Sequence, residues 1–304
     1  MQKAFVLGAG LGTRLRPLTN QLPKPLIPVF HRPLITYAFD HLLGSGVREF
    51  IVNTHHLPEC YVAAFPENEY GGASLTFRHE PVLLETAGGI ANIADLVSDG
   101  PFIVYNGDIL TDLPLAALLQ VHGRGENMVT LVLRSSGPAR HIAFDAEHGL
   151  VTDIRGKLET GNVGTHQFTG IYAVSPEFLQ HLKPGRIESV IPVWLTLIRE
   201  GARIGAVVVD DGQWWDLGDR ESYLEAQKFV CSDLAAVSPE AQVHPTATLK
   251  GLNVISAGAR VGVGAVLEDC ILWPDARVAD GAVLTRCIVR AGMTASGELT
   301  DSDV

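Results

Sequence analysis

Three glycines, Gly8, Gly10 and Gly12, alternate directly after a short apolar run from Ala4 to Leu7. Thr13, Arg14 and Lys24 follow. A strand that empties into alternating glycines presents backbone N–H groups with no side chain in front of them. That is the surface a phosphate chain needs. Arg14 adds a planar fork for phosphate oxygens, and Lys24 adds a point charge. Two common phosphate loops are excluded by spacing. A dinucleotide loop needs its third glycine at the sixth position, where this chain has Thr13. A Walker loop needs Gly-Lys-Ser or Gly-Lys-Thr, and neither occurs.

Two aspartates are placed to hold a hard cation. Asp108 follows the apolar stretch Phe102, Ile103, Val104 and the turn Asn106-Gly107, which exposes its carboxylate. Oxygen ligands of this kind suit Mg²⁺, which is commonly held by one or two carboxylates plus phosphates. Asp108 could equally cap a following helix. Asp216 lies in Trp214-Trp215-Asp216-Leu217-Gly218, ahead of a helical stretch from Glu221 to Phe229. Either Asp216 or Asp219 could serve as the cap of that helix.

The run Gly-x-Gly-x-Gly-Thr-Arg-Leu over residues 8–15, then Pro17 and Pro-Lys-Pro-Leu over residues 23–26, resembles the signature of the sugar-1-phosphate nucleotidyltransferases. Within that family the chain is similar to the mannose-1-phosphate guanylyltransferases. The resemblance implies a reaction in which a sugar phosphate oxygen attacks the α-phosphorus of a nucleoside triphosphate and pyrophosphate leaves. It implies Arg14, Lys24 and Asp108 as catalytic groups, with Asp108 and Asp216 sharing Mg²⁺. Leu7, Gly8, Ala9, Gly10, Gly12, Thr13, Arg14, Lys24, Glu80, Thr86 and Gly88 then fall to the nucleotide. Asn106, Lys157, Asn162 and Gly170 fall to the sugar phosphate. Lys157 departs from the family's Glu-Lys-Pro, because this chain reads Gly156-Lys157-Leu158.

The base stays open on this reading. Glu80 stands where some thymidylyl- and uridylyltransferases carry glutamine, and a carboxylate that only accepts would suit the N–H edge of guanine. The stretch Glu85-Thr86-Ala87-Gly88-Gly89 resembles both guanylyl and uridylyl relatives. GTP with a mannose-1-phosphate-like acceptor is favoured, with UTP and dTTP as alternatives. A non-catalytic nucleotide-sugar-binding scaffold is the contrasting reading. Such a chain would lack a metal carboxylate or a loop cation, and this one keeps all four.

The elements that must position these residues divide in two. Up to about residue 230, apolar runs alternate with helical periodicity: strands at 50–53, 75–79, 101–105, 128–133 and 170–174, helices at 33–43, 91–97 and 113–122, and a helix start at Ser175-Pro176-Glu177. This pattern implies a mixed, mostly parallel α/β sheet of Rossmann-like type, with ligands at the carboxyl ends of its strands. After residue 240 the period becomes six: Val243, Leu249, Ile255, Val261, Leu267, Trp273, Ala279, with Ala241, Ala247, Ala259 and Ala265 two positions earlier. The segments 266–272 and 283–289 are near-copies. This suits a parallel β-helix, and the pattern resembles the short left-handed hexapeptide β-helix that follows the catalytic domain in several members of the family. The expected domains are 1–235 for transfer and 236–304 for a structural β-helix with a loose polar tail from Leu299 to Val304. An acyltransferase role is disfavoured, since His244 is the only histidine of this segment and about three coils fit.

Composition agrees with these limits. The chain has 304 residues, 46% of them hydrophobic, and 23 Lys and Arg against 34 Asp and Glu give a net charge of −11. Such acidity argues against nucleic acid or membrane as partners. No apolar run approaches a membrane span, and the N-terminal one runs straight into the glycine loop. Cys60, Cys231, Cys270 and Cys287 are widely spaced, which reads as free thiols in a reducing cytoplasm. A homo-oligomer is expected.

Overall fold

The computed structural model describes residues 1–230 and 236–304. Their contacts group into two compact units, Met1–Leu11 with Ile35–Trp214, and Gly12–Leu34 with Trp215–Val304. The expected boundary at 235 and Cys231 lie outside the described residues.

The first unit is built on ten strands, which in chain order are β1 (Lys3–Leu7), β2 (Glu49–Thr54), β3 (Glu69–Tyr70), β4 (Ala73–His79), β5 (Phe102–Asn106), β6 (Val129–Arg134), β7 (Ile142–Asp145), β8 (Leu150–Ile154), β9 (Gln167–Val174) and β10 (Ile204–Val208). Their spatial order is β7-β8-β10-β6-β9-β5-β1-β2-β4-β3. The run β5-β1-β2-β4 is parallel, and β9 runs antiparallel between β5 and β6. Ala4, Phe5 and Val6 are fully buried because β1 is covered on both faces, which is why it reads as an unbroken apolar run. In register, Leu7 lies beside Asn53 of β2 and Asn106 of β5. The glycine run and the Asn106 turn therefore leave neighbouring strands at the same end. Below them one core joins Phe5, Val104, Leu131 and Tyr172 to Trp194 of the helix Val190–Arg199. Trp194 meets Tyr172 edge to face at 5.1 Å.

Two expected helices change shape. The one placed at 91–97 begins earlier, as Glu85–Asn92, and restarts as Ala94–Val97. Gly88 and Gly89 are thus inside a helix rather than before it. The Ser175-Pro176 start opens only a 3₁₀ turn, Pro176–His181. Ser175 Oγ makes no cap bond there; it lies 3.2 Å from both His122 Nε2 and the Asn127 carbonyl.

The second unit carries three 3₁₀ turns (Thr13–Leu15, Leu18–Asn20 and Lys24–Leu26), the helix Arg220–Val230, and a parallel β-helix. Three sheets of short parallel strands form its faces. Val261 pairs with Val278 and Val278 with Ala295, a step of 17 residues per coil. The near-copies stack rung on rung, Val266 over Val283 and Leu267 over Leu284. Ile255, Leu267, Leu272, Leu284 and Val289 fill the interior, with buried Ala259, Ala265, Ala276 and Ala282 between them. The 17-residue coil corrects the strict six-residue count. The inward residues of the next coil are Leu272 and Val278, not Trp273 and Ala279. The polar tail is a further correction. Glu298–Thr300 forms the last rung on Val283–Thr285, and the Val304 N–H donates to the Ile288 carbonyl at 2.9 Å.

Candidate functional site

At the ends of β1, β2 and β4, a buried polar relay fixes the first glycine. The Gly8 N–H donates to Asn53 Oδ1 at 2.8 Å, and its carbonyl accepts from Tyr61 Oη at 2.8 Å. Asn53 Nδ2 donates to Glu80 Oε1 at 2.8 Å, and the Leu84 N–H donates to Glu80 Oε2 at 3.0 Å. Glu80 is 0% exposed, so it has no atom to offer a base. In this arrangement Glu80 orients the asparagine that holds Gly8. A Cβ on Gly8 would sit 2.7 Å from the Asn53 carbonyl oxygen, so this glycine serves close packing. Gly10 is different. It is exposed, and a Cβ there meets nothing within 4 Å, so its backbone is the open part of the run. Ala9 between them is buried.

Thr86 and Gly88 also serve packing. Thr86 Oγ1 accepts the Val190 N–H at 2.8 Å, at the start of Val190–Arg199. A Cβ on Gly88 would collide with the Arg186 carbonyl oxygen. Together they seat the helix Glu85–Asn92 on the chain around residues 186–190.

Next to Leu7, the Gly107 N–H donates to the Leu7 carbonyl at 3.0 Å, and a Cβ on Gly107 would come within 2.5 Å of that oxygen. Only glycine lets the two strand ends approach this closely. Asp108 follows, half-buried, and leads into the strand Ile109–Thr111, not a helix, which removes its capping role. Gly170, at φ +84°, lies under Asn106, where a Cβ would be 2.6 Å from Nδ2. The neighbouring Thr169 carbonyl accepts the Trp214 indole N–H at 2.8 Å. Leu7, Asn106, Asp108 and Gly170 are thereby brought to one end of β1, β5 and β9. Lys157 and Asn162 belong to a loop after β8, which four strands separate from β1. Both are exposed. Buried Asp153 shapes that loop, accepting from the Leu158 N–H at 3.1 Å and from Thr160 Oγ1 at 3.3 Å.

In the second unit Gly12 takes φ +60°, and its carbonyl accepts from the Leu15 N–H and from Thr19 Oγ1, both at 3.0 Å. This tight turn displays Thr13 and Arg14 at the surface. The Arg14 guanidinium lies against Gly218, where a Cβ would be 2.8 Å from Nη2. Lys24 is only 7% exposed, and its Nζ stands 3.7 Å from Asp216 Oδ1. A buried ammonium is costly without an opposite charge, and exposed Asp216 supplies one. Asp219 takes the capping role: its Oδ1 accepts the Ser222 N–H at 2.9 Å. That bond, with the charges of Arg14 and Lys24, holds its carboxyl below the usual range.

Sequence reasoning missed the supports behind these groups. Tyr223 Oη donates to the Pro28 carbonyl at 2.5 Å and accepts from the Trp273 indole N–H at 3.0 Å. The Phe30 N–H donates to Gln227 Oε1 at 2.7 Å. Trp273 had a signal, as the one bulky aromatic in an aliphatic series. Tyr223 and Gln227 sit four apart on one helix face, a weaker one.

The first unit thus offers an open glycine backbone and the Asp108 carboxylate, and the second offers two cations and the exposed Asp216 carboxylate, groups suited to phosphate chemistry. Comparison with known proteins points the same way. A mannose-1-phosphate guanylyltransferase of Mycobacterium tuberculosis is 30% identical over 292 residues, covering 90% of this chain and 80% of that protein. The catalytic subunit beta of the Dictyostelium discoideum enzyme of that name is 31% identical over 248 residues, covering 78% and 67%. A Bacillus anthracis structure solved under the name glucose-1-phosphate thymidylyltransferase, with sucrose bound, superposes with a TM-score of 0.65 at 20% identity. It covers 77% of this chain and 96% of its own, and at that identity it speaks to the fold alone. The model of the nucleotidyl transferase family matches residues 3–233, and the chain belongs to that family.

Proposed function

We propose that this chain transfers a nucleoside monophosphate from a nucleoside triphosphate to a sugar 1-phosphate, with GTP and mannose 1-phosphate as the preferred pair. The observation that carries the reading is buried Lys24 facing Asp216, with Arg14 displayed on the adjoining turn. An ammonium kept in place at a desolvation cost is a preorganised charge for a phosphoryl group. The preference for guanine rests on the similar guanylyltransferases.

Arg14 would grip the leaving phosphates with its fork, and Lys24 would meet the charge that develops on the α-phosphate. The Gly10 backbone would approach the triphosphate without steric hindrance. Asn106 would orient the sugar phosphate, and Lys157 and Asn162 would reach it from their loop. The donor chemistry of Asp108 and Asp216 fits Mg²⁺: both are oxygen ligands, Asp108 half-buried and Asp216 exposed, and it is Asp219 that caps the helix Arg220–Val230. Bound there, Mg²⁺ would withdraw charge from the phosphate under attack. No helix among the described residues is long and apolar enough to cross a membrane. The reading places a cytoplasmic homo-oligomer, with transfer in 1–235 and assembly through 236–304.

Pyrophosphate release over a panel of triphosphates and sugar phosphates tests the reading. GTP with mannose 1-phosphate should give the highest kcat/KM. Release with no pair would establish a non-catalytic binder instead. Asp108→Asn should lower kcat by about 10²-fold or more, the scale of losing one electrostatic stabiliser. Full activity in that variant would remove Asp108 from the metal.

A further inference from the structure

One face of the β-helix carries an arrangement that the transfer reaction does not use. Its strands place Gln242, Arg260, Arg277 and Thr294 in direct register on successive rungs. Arg260 and Arg277 are therefore adjacent, one rung apart, and both are exposed. Rungs of a sheet lie about 4.8 Å apart. Like charges directly opposite one another destabilise a parallel ladder unless something compensates them. Among the described residues neither arginine forms an ion pair. The contrast within the same unit is sharp. Arg220 pairs with Asp303 and Asp301, and Arg286 pairs with Glu221 and Asp301. The chain has a net charge of −11, yet among the described residues this pair has no acidic partner.

The two arginines also border a hollow. A groove of about 570 Å³ runs beside them, and His244, Gly262 and Ala279 contribute to its lining. The His244 N–H donates to the Val261 carbonyl and the Gly262 N–H to the Val278 carbonyl, so these positions follow the arginine ladder two residues later. Ala279 adds little bulk to the lining, and Asp280 Oδ1, which accepts the Val263 N–H at 2.8 Å, stands against Gly262. His244 Nδ1 is engaged with Thr246 Oγ1 at 2.8 Å, which turns Nε2 to the other side of the ring.

We propose that this groove binds a small anion with two or more linked phosphate groups. Two guanidinium forks one rung apart match the separation of neighbouring phosphates, each able to take a bidentate pair of oxygens. The inference rests on the β-helix alone and does not require that the chain transfer nucleotides.

Inorganic tripolyphosphate is the probe, titrated calorimetrically into the full chain and into Arg260→Gln/Arg277→Gln. The full chain should show two classes of site, one shared with the substrate triphosphate and one removed by the double variant. That second class should weaken at least about tenfold in the variant, and Arg260→Lys/Arg277→Lys should restore part of it. Excess GTP, which itself carries linked phosphates, should displace the probe from both classes in the full chain and from the single remaining class in the glutamine variant. Turnover without the probe should be unchanged in both variants. Identical isotherms for the full chain and the glutamine variant would overturn the proposal. So would a variant whose only change is loss of self-association in sedimentation, which would make the arginines a contact for the acidic surface of a second copy. If the transfer reading fails while the second class persists, the groove stands on its own.

Discussion

Gly8 and Gly10 are equivalent letters in the sequence and different objects in the structure. Gly8 has both backbone polar atoms engaged and no room for a Cβ. Gly8→Ala should therefore destabilise the fold by about 1–3 kcal/mol, the cost of overpacking, and lower the urea midpoint. Gly10→Ala should leave the melting temperature in place and raise the KM for the triphosphate, because only a ligand would meet the added methyl. Equal thermal losses in the two variants would refute the distinction. Buried His122 makes a second test. Its Nδ1 lies 2.9 Å from Thr130 Oγ1, and burial lowers its pKa to about 4. An unfolded histidine titrates near 6.5. Between those values the unfolded chain holds a proton that the folded chain refuses, so stability falls as pH drops through that window. The full loss is roughly 3 kcal/mol. His122→Gln should remove this component. The difference in unfolding free energy between the two proteins should narrow as pH falls from 7 towards 4, and a constant difference would assign the acid sensitivity elsewhere.

At the scale of elements, legibility followed burial. β1 and β5 could be read directly because strands covered on both faces are apolar throughout, and the parallel core with the glycine run and Asp108 at its ends followed from them. The strands β7, β8 and β10 and the helix Val190–Arg199 were not read. β7 and β8 form a hairpin of buried and half-buried residues of mixed type, so their period is faint. Gly88 was ambiguous because a glycine that packs against a carbonyl, as it does against that of Arg186, looks, as a letter, like one that admits a ligand. Tyr223 was invisible because its role is defined by what it touches. Its hydroxyl joins the Trp273 indole to the carbonyl of Pro28, four residues after Lys24. Tyr223→Phe should cost about 1–3 kcal/mol through the two buried groups left unpaired. It should also raise the KM for the triphosphate more than it lowers kcat, since the loop loses a fixed anchor. Trp273→Phe removes only the outer donor and should show the same split more weakly. A uniform loss of active protein with normal KM and kcat in the remainder would reduce the relay to a folding contact.

For the whole molecule, the change of sequence grammar near residue 235 and the grouping of contacts part company. The glycine-loop segment Gly12–Leu34 and the β-helix belong to one compact unit, although more than two hundred residues separate them in the chain. The segment has little structure of its own, only three short 3₁₀ turns and a two-residue hairpin, so its order must come from its partners. Those partners are the helix Arg220–Val230 and the coils behind it. Arg220 anchors that helix to the last coil through Asp303 at 2.8 Å and through the Arg286 carbonyl. The polar tail thus closes a continuous support running from Asp303 through Arg220 and Tyr223 to Pro28. A chain ending at residue 235 should keep the ten-stranded sheet yet lose the support for Lys24. Amide exchange over residues 13–34 should then become fast while β1 and β5 stay protected, and pyrophosphate release should vanish. Asp303→Ala in the full chain should move the same amides part of the way, by removing a single charged partner of Arg220. If the shortened chain kept protected amides at 13–34 and full turnover, the β-helix would be an appendage to the transfer site, not part of its frame.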